Sequence, residues 1–574
     1  MSKNIRRLIK FTKRSKLSMA VLVVSGIIAS ICALLSPVFI GKAIDCLVLG
    51  NVDFSLLRRY CAVLLCLYMA NAFFGWLLMQ SANKVGYSTA EALRLEGYKK
   101  LHTLPVSKID STPHGDFTAR IVIDAQSVSE GIVQGLPKLV TGAVTIIGTI
   151  ISMAIISLPA ALTVIVLTPL SVLVAKRITL ASHTSYAKQA EAQGNFTGLV
   201  QERVRGRDVI TSFHAQKTNI EDFEQFNDTL TKKTYTAQLY GALINPITRF
   251  VNHIVYVAVG FVGAMLALNG LISIGQISSL LFYTNQYTKP FNEISGVVHQ
   301  IQSASAALDR IFMLLDREDE IKDAENAVKT LPGIGKVDFK NVYFSYDKIT
   351  PLIENFCCDV KPGEKIAIVG PTGAGKTTIV NLLMRFYDAD KGDIIIDGNS
   401  IYRIQKKGLR SLFAMVLQDS WVFTDTVRNN IAFAKPDASD EEIINAAKRA
   451  HADEFISRLP KGYDTVLSEQ IALSEGQVQL ICIARVLLNN PPILILDEAT
   501  SSVDTRTEMY VNLAFDEMMK GKTSFVIAHR LSTIQSADKI LVMNDGRVVE
   551  QGTHKFLMDK KGFYYDMYMS QYAV

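Results

Sequence analysis

Long apolar stretches without any charged side chain dominate the first half of the chain. Four windows contain no Asp, Glu, Lys or Arg, and they are residues 17–41, 60–83, 139–175 and 250–288. A membrane-spanning helix needs about 20 apolar residues, so the two shorter windows each hold one span and the two longer ones each hold two. Turn residues divide the longer windows near Pro159 and near Asn269 and Gly270. The pattern predicts six membrane-spanning helices.

The distribution of positive charge predicts how these spans are oriented. The first sixteen residues carry seven Lys or Arg and no acid, and cytoplasmic segments are rich in positive charge. Arg58 and Arg59 oppose this rule at the outer start of the second span, but the other basic segments outweigh them. We therefore expect a multi-pass protein of a cell membrane, such as a bacterial plasma membrane, with its N-terminus in the cytoplasm. The first apolar segment is too long for a cleaved signal sequence.

Two long segments between the spans are predicted to be cytoplasmic and helical. Residues 84–138 and 176–249 contain few Pro or Gly, and helical hairpins of these lengths would project roughly 40 to 55 Å from the membrane. Their tips lie near Pro113 and Phe213. Such tips are suited to passing force to another domain.

The second half of the chain has a different pattern, in which short β-branched runs alternate with helical segments. The runs are KIAIVG, GDIIIDG, ILILDEA, SFVIAHR and KILVMNDG. This alternation is typical of an α/β domain with a largely parallel core sheet. This α/β domain is preceded by a charged segment whose later residues include Pro and Gly. We therefore place the boundary between domains 1–325 and 326–574 in that segment.

A phosphate-binding loop follows the first of these predicted strands. Its residues are Gly370, Pro371, Thr372, Gly373, Ala374, Gly375, Lys376, Thr377 and Thr378. In this strand-loop-helix pattern, backbone N–H groups surround phosphates at a helix N-terminus. Lys376 reaches the β and γ phosphates, and Thr377 binds Mg²⁺. The motif predicts a nucleoside triphosphate site.

Two acids end the apolar run ILILDEA. Asp497 is placed to hold Mg²⁺ through water, and Glu498 to polarise the attacking water as a general base. A pair of solvated carboxylates is the alternative, which the presence of the phosphate-binding loop disfavours. Together the two motifs predict hydrolysis of ATP with Mg²⁺.

Further motifs occur in a fixed order along the chain. They are FSYD, GPTGAGKTT, VLQDSWVFTDTVRNNI, LSEGQ, ILILDEATSSVD and IAHRLST. With the six spans before them, they make nearly the whole chain resemble an ATP-binding cassette exporter half-transporter. The resemblance implies an all-α six-helix transmembrane domain followed by an α/β P-loop nucleotide-binding domain. It also implies a dimer in which each ATP lies between the P-loop of one chain and the LSEGQ segment of the other.

The same resemblance implies roles for individual residues. Tyr346 would stack on adenine, Gln418 would sense the γ-phosphate and Mg²⁺, and His529 would bridge the γ-phosphate. Asp504 would cross to the opposite site. The LSEGQ segment would contribute Ser474, Gly476 and Gln477 to the nucleotide held by the partner chain. The tips near Pro113 and Phe213 would be coupling helices, contacted by a loop that contains Glu469.

Glu475 departs from the family pattern, which has L-S-G-G-Q at this position. A carboxylate at about 4 Å from phosphate would cost up to about 4 kcal/mol at an effective dielectric near 20. Val478 and Leu480 also stand where the family usually has cations. We therefore expect a heterodimer in which this altered segment forms a weak site. The alternatives are a homodimer and a Glu475 side chain that turns outward harmlessly.

The function predicted from these motifs is ATP-driven export of a small amphipathic or hydrophobic substrate across the bilayer. An importer built on the exporter fold and an ATP-gated receptor or channel remain alternatives. The spans exclude a soluble cassette ATPase of DNA repair or translation, and no nucleic acid partner is expected. The seven cysteines show no C-x-x-C pattern and are interpreted as packing residues.

The sequence suggests several residues near the substrate path without deciding among them. Gln286, Lys289 and Glu293 in the sixth span are candidate lining groups, although Lys289 and Glu293 fit an i,i+4 pair at the cytosolic end equally well. Aromatic residues either line a cavity or face lipid, and they are Phe73, Trp76, Tyr283 and Tyr287.

Overall fold

The computed structural model describes residues 7–8, 10–48, 53–324, 326–417, 420–468, 473–498, 504–528 and 531–572. Contacts between residues divide the chain into two units. The N-terminal unit comprises Met1–Thr103 and Thr112–Glu318, and the C-terminal unit comprises Leu104–Ser111 and Asp319–Val574. The division after Glu318 comes somewhat before the domain boundary that we expected near residue 325. The short segment Leu104–Ser111 belongs to the C-terminal unit. The sequence did not indicate this assignment.

The described residues up to Leu315 form helices and turns. The α-helices are α1 (Lys16–Val48), α2 (Phe54–Thr103), α3 (Val106–Asp110), α4 (His114–Thr118), α5 (Ala125–Ile156), α6 (Leu158–Arg205), α7 (Arg207–Ser212), α8 (Gln216–Leu268) and α9 (Ile274–Leu315). A 3₁₀-helix at Thr12–Ser15 precedes α1, and a π-helix at Ala119–Asp124 joins α4 to α5. Helix α3 belongs to the C-terminal unit, and the others belong to the N-terminal unit.

Six long helices, α1, α2, α5, α6, α8 and α9, cover the six predicted spans. Four helical stretches of the described chain are long and apolar enough to cross a membrane: Lys16–Leu47, Phe54–Thr103, His114–Ile156 and Arg249–Leu268. The predicted turns are also confirmed. Ser157 is extended and its hydroxyl caps α6, while a capping box of Ser273 and Gln276 begins α9 just after Asn269 and Gly270. Helices α2, α6 and α8 continue far beyond the apolar windows, as predicted for helical cytoplasmic segments.

Side chains of α9 form hydrogen bonds with backbone oxygens near a proline of α1. Pro37 lies inside α1 and has no N–H to bond the carbonyl oxygen of Ala33. Gln286 Nε2 in α9 donates to that oxygen at 3.0 Å, and the Tyr283 hydroxyl donates to the oxygen of Leu34 at 2.6 Å. Polar side chains of α9 therefore satisfy backbone oxygens around the proline of α1.

These contacts revise the candidates for the substrate path. Tyr283 and Tyr287 are buried among the helices, so the expectation that they line a cavity or face lipid is wrong. Their side chains pack inside the N-terminal unit because neighbouring helices cover that face of α9. Phe73 and Trp76 are exposed on α2. Lys289 Nζ and Glu293 Oε1 are 3.8 Å apart as an i,i+4 pair on the surface of α9.

The C-terminal unit combines ten strands with ten α-helices among its described residues after 319, and it also includes α3. Its strands are β1 (Val337–Phe344), β2 (Ile353–Val360), β3 (Lys365–Val369), β4 (Lys391–Ile396), β5 (Asn399–Ser400), β6 (Phe413–Val416), β7 (Ile493–Glu498), β8 (Thr523–Ala528), β9 (Lys539–Asn544) and β10 (Arg547–Gly552). Its helices are α10 (Lys376–Leu383), α11 (Lys406–Arg410), α12 (Val427–Ala432), α13 (Asp440–Arg449), α14 (Asp453–Ile456), α15 (Glu475–Asn489), α16 (Thr505–Met519), α17 (Leu531–Gln535), α18 (His554–Lys560) and α19 (Phe563–Tyr572), preceded in the chain by α3.

The strands form two sheets rather than one. The larger has the order β10-β9-β3-β8-β7-β6 and is parallel except for β10, and the smaller has the antiparallel order β2-β1-β4-β5. Four of the five runs predicted for the parallel sheet are found there. The fifth, GDIIIDG, forms β4 and pairs antiparallel with β1, so its assignment to the parallel sheet is wrong. An apolar run predicts a strand but does not specify which strand it pairs with.

Strand β3 lies between two apolar cores. Ile366 and Ile368 contact the core shared with the antiparallel sheet, whereas Ala367 and Val369 contact the core shared with the helices. Successive side chains of a strand point to opposite faces, so a strand buried on both faces has a continuous apolar sequence. The packing holds β3 rigidly and positions the loop that follows it.

Candidate nucleotide site

The predicted phosphate-binding loop and the acidic strand end lie at the same edge of the parallel sheet. Ile527 of β8 pairs with Ile368 of β3 on one side and with Asp497 of β7 on the other. Neighbouring strands are about 4.8 Å apart, so β3 and β7 are separated by roughly 10 Å. Ligands of open α/β sheets bind beyond the carboxyl ends of the strands. The topology therefore brings together the two halves of the predicted site.

Glycines give the phosphate-binding loop its shape. Gly373 and Gly375 have φ of 86° and 92°, in the left-handed region that favours glycine. Gly375 is the N-cap residue of α10. A Cβ atom at Gly370 would lie 2.2 Å from the carbonyl oxygen of Met543, so the loop starts in close contact with β9. The loop therefore turns tightly and directs the N-terminus of α10 towards the edge of the sheet.

Lys376 extends over this loop. Its ammonium donates hydrogen bonds to the carbonyl oxygens of Gly370 at 2.8 Å and Pro371 at 3.0 Å. Partial burial lowers the pKa of Lys376, and the negative charge of Asp497 acts in the opposite direction. The ammonium is thus held beside the loop by two neutral acceptors. A phosphate group is a stronger acceptor because its hydrogen bonds with an ammonium are charge-assisted.

The two threonines of the loop have different environments. Thr377 is exposed in the first turn of α10, whereas Thr378 is buried. Thr378 Oγ1 lies 3.2 Å from the Tyr346 hydroxyl, and Asn381 Nδ2 donates to the same hydroxyl at 3.5 Å. The side chain of Thr377 is therefore free of the core, while that of Thr378 anchors Tyr346.

Tyr346 is half exposed beside α10, in a cluster of aromatic rings. Its centroid lies 4.9 Å from the ring of Phe344 and 5.0 Å from that of Tyr387, both in edge-to-face geometry. The next residue, Asp347, accepts hydrogen bonds from the backbone N–H groups of Thr350 and Ile349. These bonds lower the pKa of Asp347. Tyr387 packs against Tyr346 but lies in none of the motifs that pointed to this site.

The acidic pair occupies the last two positions of β7. Asp497 and Glu498 pair with Ile527 and Ala528 of β8. Only the backbone of Glu498 is described. Gln418, Glu469 and His529 lie outside the described residues.

The LSEGQ segment forms the start of α15. Ser474 is the N-cap residue, and its hydroxyl accepts a bond from Gln477 N at 3.3 Å while Gln477 Oε1 accepts one from Ser474 N at 3.0 Å. Gly476 is buried in the first turn, and Glu475 is exposed at the first helical position. A carboxylate there is favoured by the partial positive charge of the helix N-terminus. The segment therefore has a local structural reason to tolerate Glu475.

Asp504 has a similar position at the start of α16. Its Oδ1 accepts a bond from Thr507 N at 3.0 Å, and its hydrogen bonds with Thr507 lower the pKa of Asp504. The side chain is exposed. Within one chain, Asp504 and Ser474 each cap their own helix.

Two protein-family models match this chain. The family model described as ABC transporter transmembrane region matches residues 19–291, and the one described as ABC transporter matches residues 353–501. YfiC of Bacillus subtilis, an uncharacterized ABC transporter ATP-binding protein, is 37% identical over 571 residues, covering 99% of this chain and 94% of that protein. The chain belongs to the ABC transporter family.

Other similar ABC transporters have more specific descriptions. A fatty acid ABC transporter ATP-binding/permease protein of Mycobacterium tuberculosis is 38% identical over 518 residues, or 90% of this chain and 82% of that protein. An ATP-dependent lipid A-core flippase of Syntrophus aciditrophicus is 35% identical over 490 residues, or 85% and 81%. A structure of a bacterial Atm1-family ABC exporter with ATP bound aligns with a TM-score of 0.78 and 28% identity, covering 98% of this chain and 99% of that one.

These findings confirm the predicted family, fold class and enzyme class. The protein is an ABC transporter with a helical transmembrane domain and an ATP-binding domain, and it couples ATP hydrolysis to transport. It has the fold of ABC exporters, which act as dimers in a membrane.

Proposed function

We propose that this ABC transporter exports a small amphipathic or hydrophobic substrate. The observation that carries the proposal is the likeness to an exporter structure over 98% of the chain. The names of two relatives, a fatty acid transporter and a lipid A-core flippase, support a lipid-like substrate class. The exposed aromatic side chains of α2 are compatible with contacts to such molecules.

In the proposed site, Tyr346 stacks on adenine and the phosphates lie on the N-terminus of α10. The half-exposed ring of Tyr346 offers a π-face, and Lys376 exchanges its two carbonyl partners for phosphate oxygens. Glu498 acts as the general base. Gln418 and His529 contact the γ-phosphate, and Ser474, Gly476, Gln477 and Asp504 complete the site of the partner chain.

The residues at the sheet edge fit Mg²⁺. The exposed hydroxyl of Thr377 and the carboxylate of Asp497 are oxygen donors, which this ion prefers. No cluster of three or more His, Cys, Asp or Glu able to hold a metal occurs among the described residues. When bound, the ion would neutralise charge on the β and γ phosphates.

Transport in inside-out membrane vesicles tests the direction. We expect ATP-dependent accumulation of a fluorescent amphipathic dye inside vesicles that contain the transporter, because an exporter moves substrate away from the cytoplasmic face. Vesicles carrying Glu498→Gln serve as the matched control and should show only passive uptake. ATP-driven loss of preloaded dye would indicate an importer, and an ATP-dependent ion current without accumulation would indicate a channel.

We further propose that the working transporter is a heterodimer. Glu475 is exposed at the position that the proposed dimer directs towards ATP bound by the partner chain. A carboxylate charge is favoured at the N-terminus of α15, and it would repel phosphate. The phosphate-binding loop, Asp497 and Glu498 in the same chain are intact. One altered site and one intact site are therefore expected when the second subunit carries a glycine in place of Glu475.

A comparison of the lone chain with the co-purified pair tests this proposal. The lone chain should hydrolyse ATP poorly, because a self-dimer carries Glu475 at both sites, and the partner subunit should restore turnover. In the heterodimer, Glu475→Gly should strengthen nucleotide binding at the weak site by about 1 to 2 kcal/mol, which is about five- to thirtyfold. Glu441→Gly, an exposed acid near the start of α13, is the control. Full activity of the lone chain, unchanged by Glu475→Gly, would refute the heterodimer.

A further inference from the structure

One segment between the first two predicted cytoplasmic helices packs with the ATP-binding domain. Leu104–Ser111, which contains α3, belongs to the C-terminal unit although helices of the N-terminal unit precede and follow it. The Tyr387 hydroxyl donates a hydrogen bond to Asp110 Oδ2 at 3.3 Å, at the last residue of α3. Burial and the nearby charge of Asp110 raise the pKa of Tyr387 to about 12. The phenol therefore remains protonated and able to donate at physiological pH.

The ring of Tyr387 also touches the ring proposed to stack on adenine. Tyr387 and Tyr346 meet edge to face, with centroids 5.0 Å apart and planes at 89°. Phe344 contacts both rings, at 5.7 Å from Tyr387 and 4.9 Å from Tyr346. These three edge-to-face contacts restrict the tilt of each ring, because edge-to-face pairs prefer a defined geometry.

The two ends of Tyr346 are thus held by different groups. Its hydroxyl is anchored by Thr378 in the phosphate-binding segment, and one of its edges rests on Tyr387. Tyr387 is fixed in turn by its single hydrogen bond with Asp110. Helix α2 ends at Thr103, and two residues separate it from α3, the short helix that ends at Asp110.

We infer that Asp110 and Tyr387 are positioning residues that set the adenine-stacking ring of Tyr346, so that the affinity for ATP responds to the segment following α2. The inference rests on the proposed role of Tyr346. Loss of the Tyr387–Asp110 hydrogen bond lets the Tyr387 ring tilt. Tyr346 then loses its edge-to-face contact with Tyr387. Binding of ATP weakens while the groups that act on the γ-phosphate are unchanged.

The variants are made in the complete transporter and assayed for ATP hydrolysis in membranes. Tyr387→Phe keeps the ring and removes the hydroxyl, and Asp110→Ala removes the acceptor. Each should raise the KM for ATP by about two- to tenfold, the range of one hydrogen bond, with kcat at saturating ATP within about twofold. The double variant should resemble either single variant, because both remove one interaction. Asp110→Asn retains an acceptor oxygen and should restore most of the affinity.

Two control variants distinguish a failure of this inference from a failure of the proposed adenine role of Tyr346. Tyr343→Phe removes a hydroxyl from a partly exposed tyrosine on β1 and should leave KM unchanged. Tyr346→Ala should raise KM more than Tyr387→Phe does. An unchanged KM in Tyr346→Ala would refute the adenine role itself. A raised KM in Tyr346→Ala together with an unchanged KM in Tyr387→Phe and Asp110→Ala would leave the proposed function standing and overturn this inference, as would equal losses of kcat in place of a change in KM.

Discussion

The Glu498→Gln variant is expected to bind ATP normally and to lose nearly all steady-state hydrolysis. An amide has the size and hydrogen-bonding reach of the carboxylate but cannot accept a proton from the attacking water. General-base catalysis contributes about 10²- to 10⁴-fold to such reactions, so turnover should fall by that factor. Glu498 ends β7, two strands away from the strand that carries the phosphate-binding loop.

ATP hydrolysis and nucleotide binding must be measured separately on the same preparation of the complete transporter. Glu441→Gln is a matched control, because Glu441 lies exposed in the first turn of α13 and should tolerate the same change. Turnover close to that of the control would show that another group activates the water. Loss of ATP binding in Glu498→Gln would instead assign the residue to binding rather than to catalysis.

The Lys376→Ala variant is expected to lose ATP affinity while its fold remains stable. A hydrogen bond with a charged group contributes about 1.5 to 3 kcal/mol, so affinity should fall by about ten- to hundredfold. The ammonium is partly buried and has neutral carbonyl partners in the structure, and this burial lowers the pKa of Lys376. Removing the ammonium therefore relieves a desolvation cost in the ligand-free protein, and the unfolding temperature should not decrease.

Direct nucleotide-binding titrations and thermal unfolding check this result together. Lys361→Ala provides the control, because Lys361 is exposed in the turn between β2 and β3. An affinity for ATP that is equal in Lys376→Ala and Lys361→Ala would mean that the loop does not hold the β and γ phosphates. A large fall in unfolding temperature would show that Lys376 serves the fold itself.

The spans and the phosphate-binding loop illustrate what local pattern can predict. A window without charge, such as residues 17–41, cannot be accommodated except across a bilayer or inside a large core, and its length specifies one helix. The loop from Gly370 to Thr378 combines a strand, glycines and a helix start, so its geometry follows from adjacent residues. Such features depend on sequence neighbours, and the structure reproduces them at the predicted positions.

Pairing and packing between distant segments were less predictable. GDIIIDG has the apolar pattern of its neighbours, yet β4 pairs with β1 in the other sheet. Tyr283 and Tyr287 carry hydroxyls that suit a polar cavity, yet both are buried, and Tyr283 bonds to the backbone of α1 near Pro37. In both cases the partner is far away in the chain, and nothing in the local sequence names it.

The sequence by itself therefore determined the presence of several long apolar helices, the order of the two domains, the phosphate-binding loop and the acidic strand end. Each of these features depends on consecutive residues, because the length of an apolar run, turn chemistry and strand-loop-helix spacing are local properties. Only the tertiary structure decided that Thr378 and Tyr387 hold Tyr346 and that Asp110 reaches Tyr387 across 277 positions of the chain. Such contacts form because burying apolar surface brings separate segments together, and the identity of those segments depends on the whole fold.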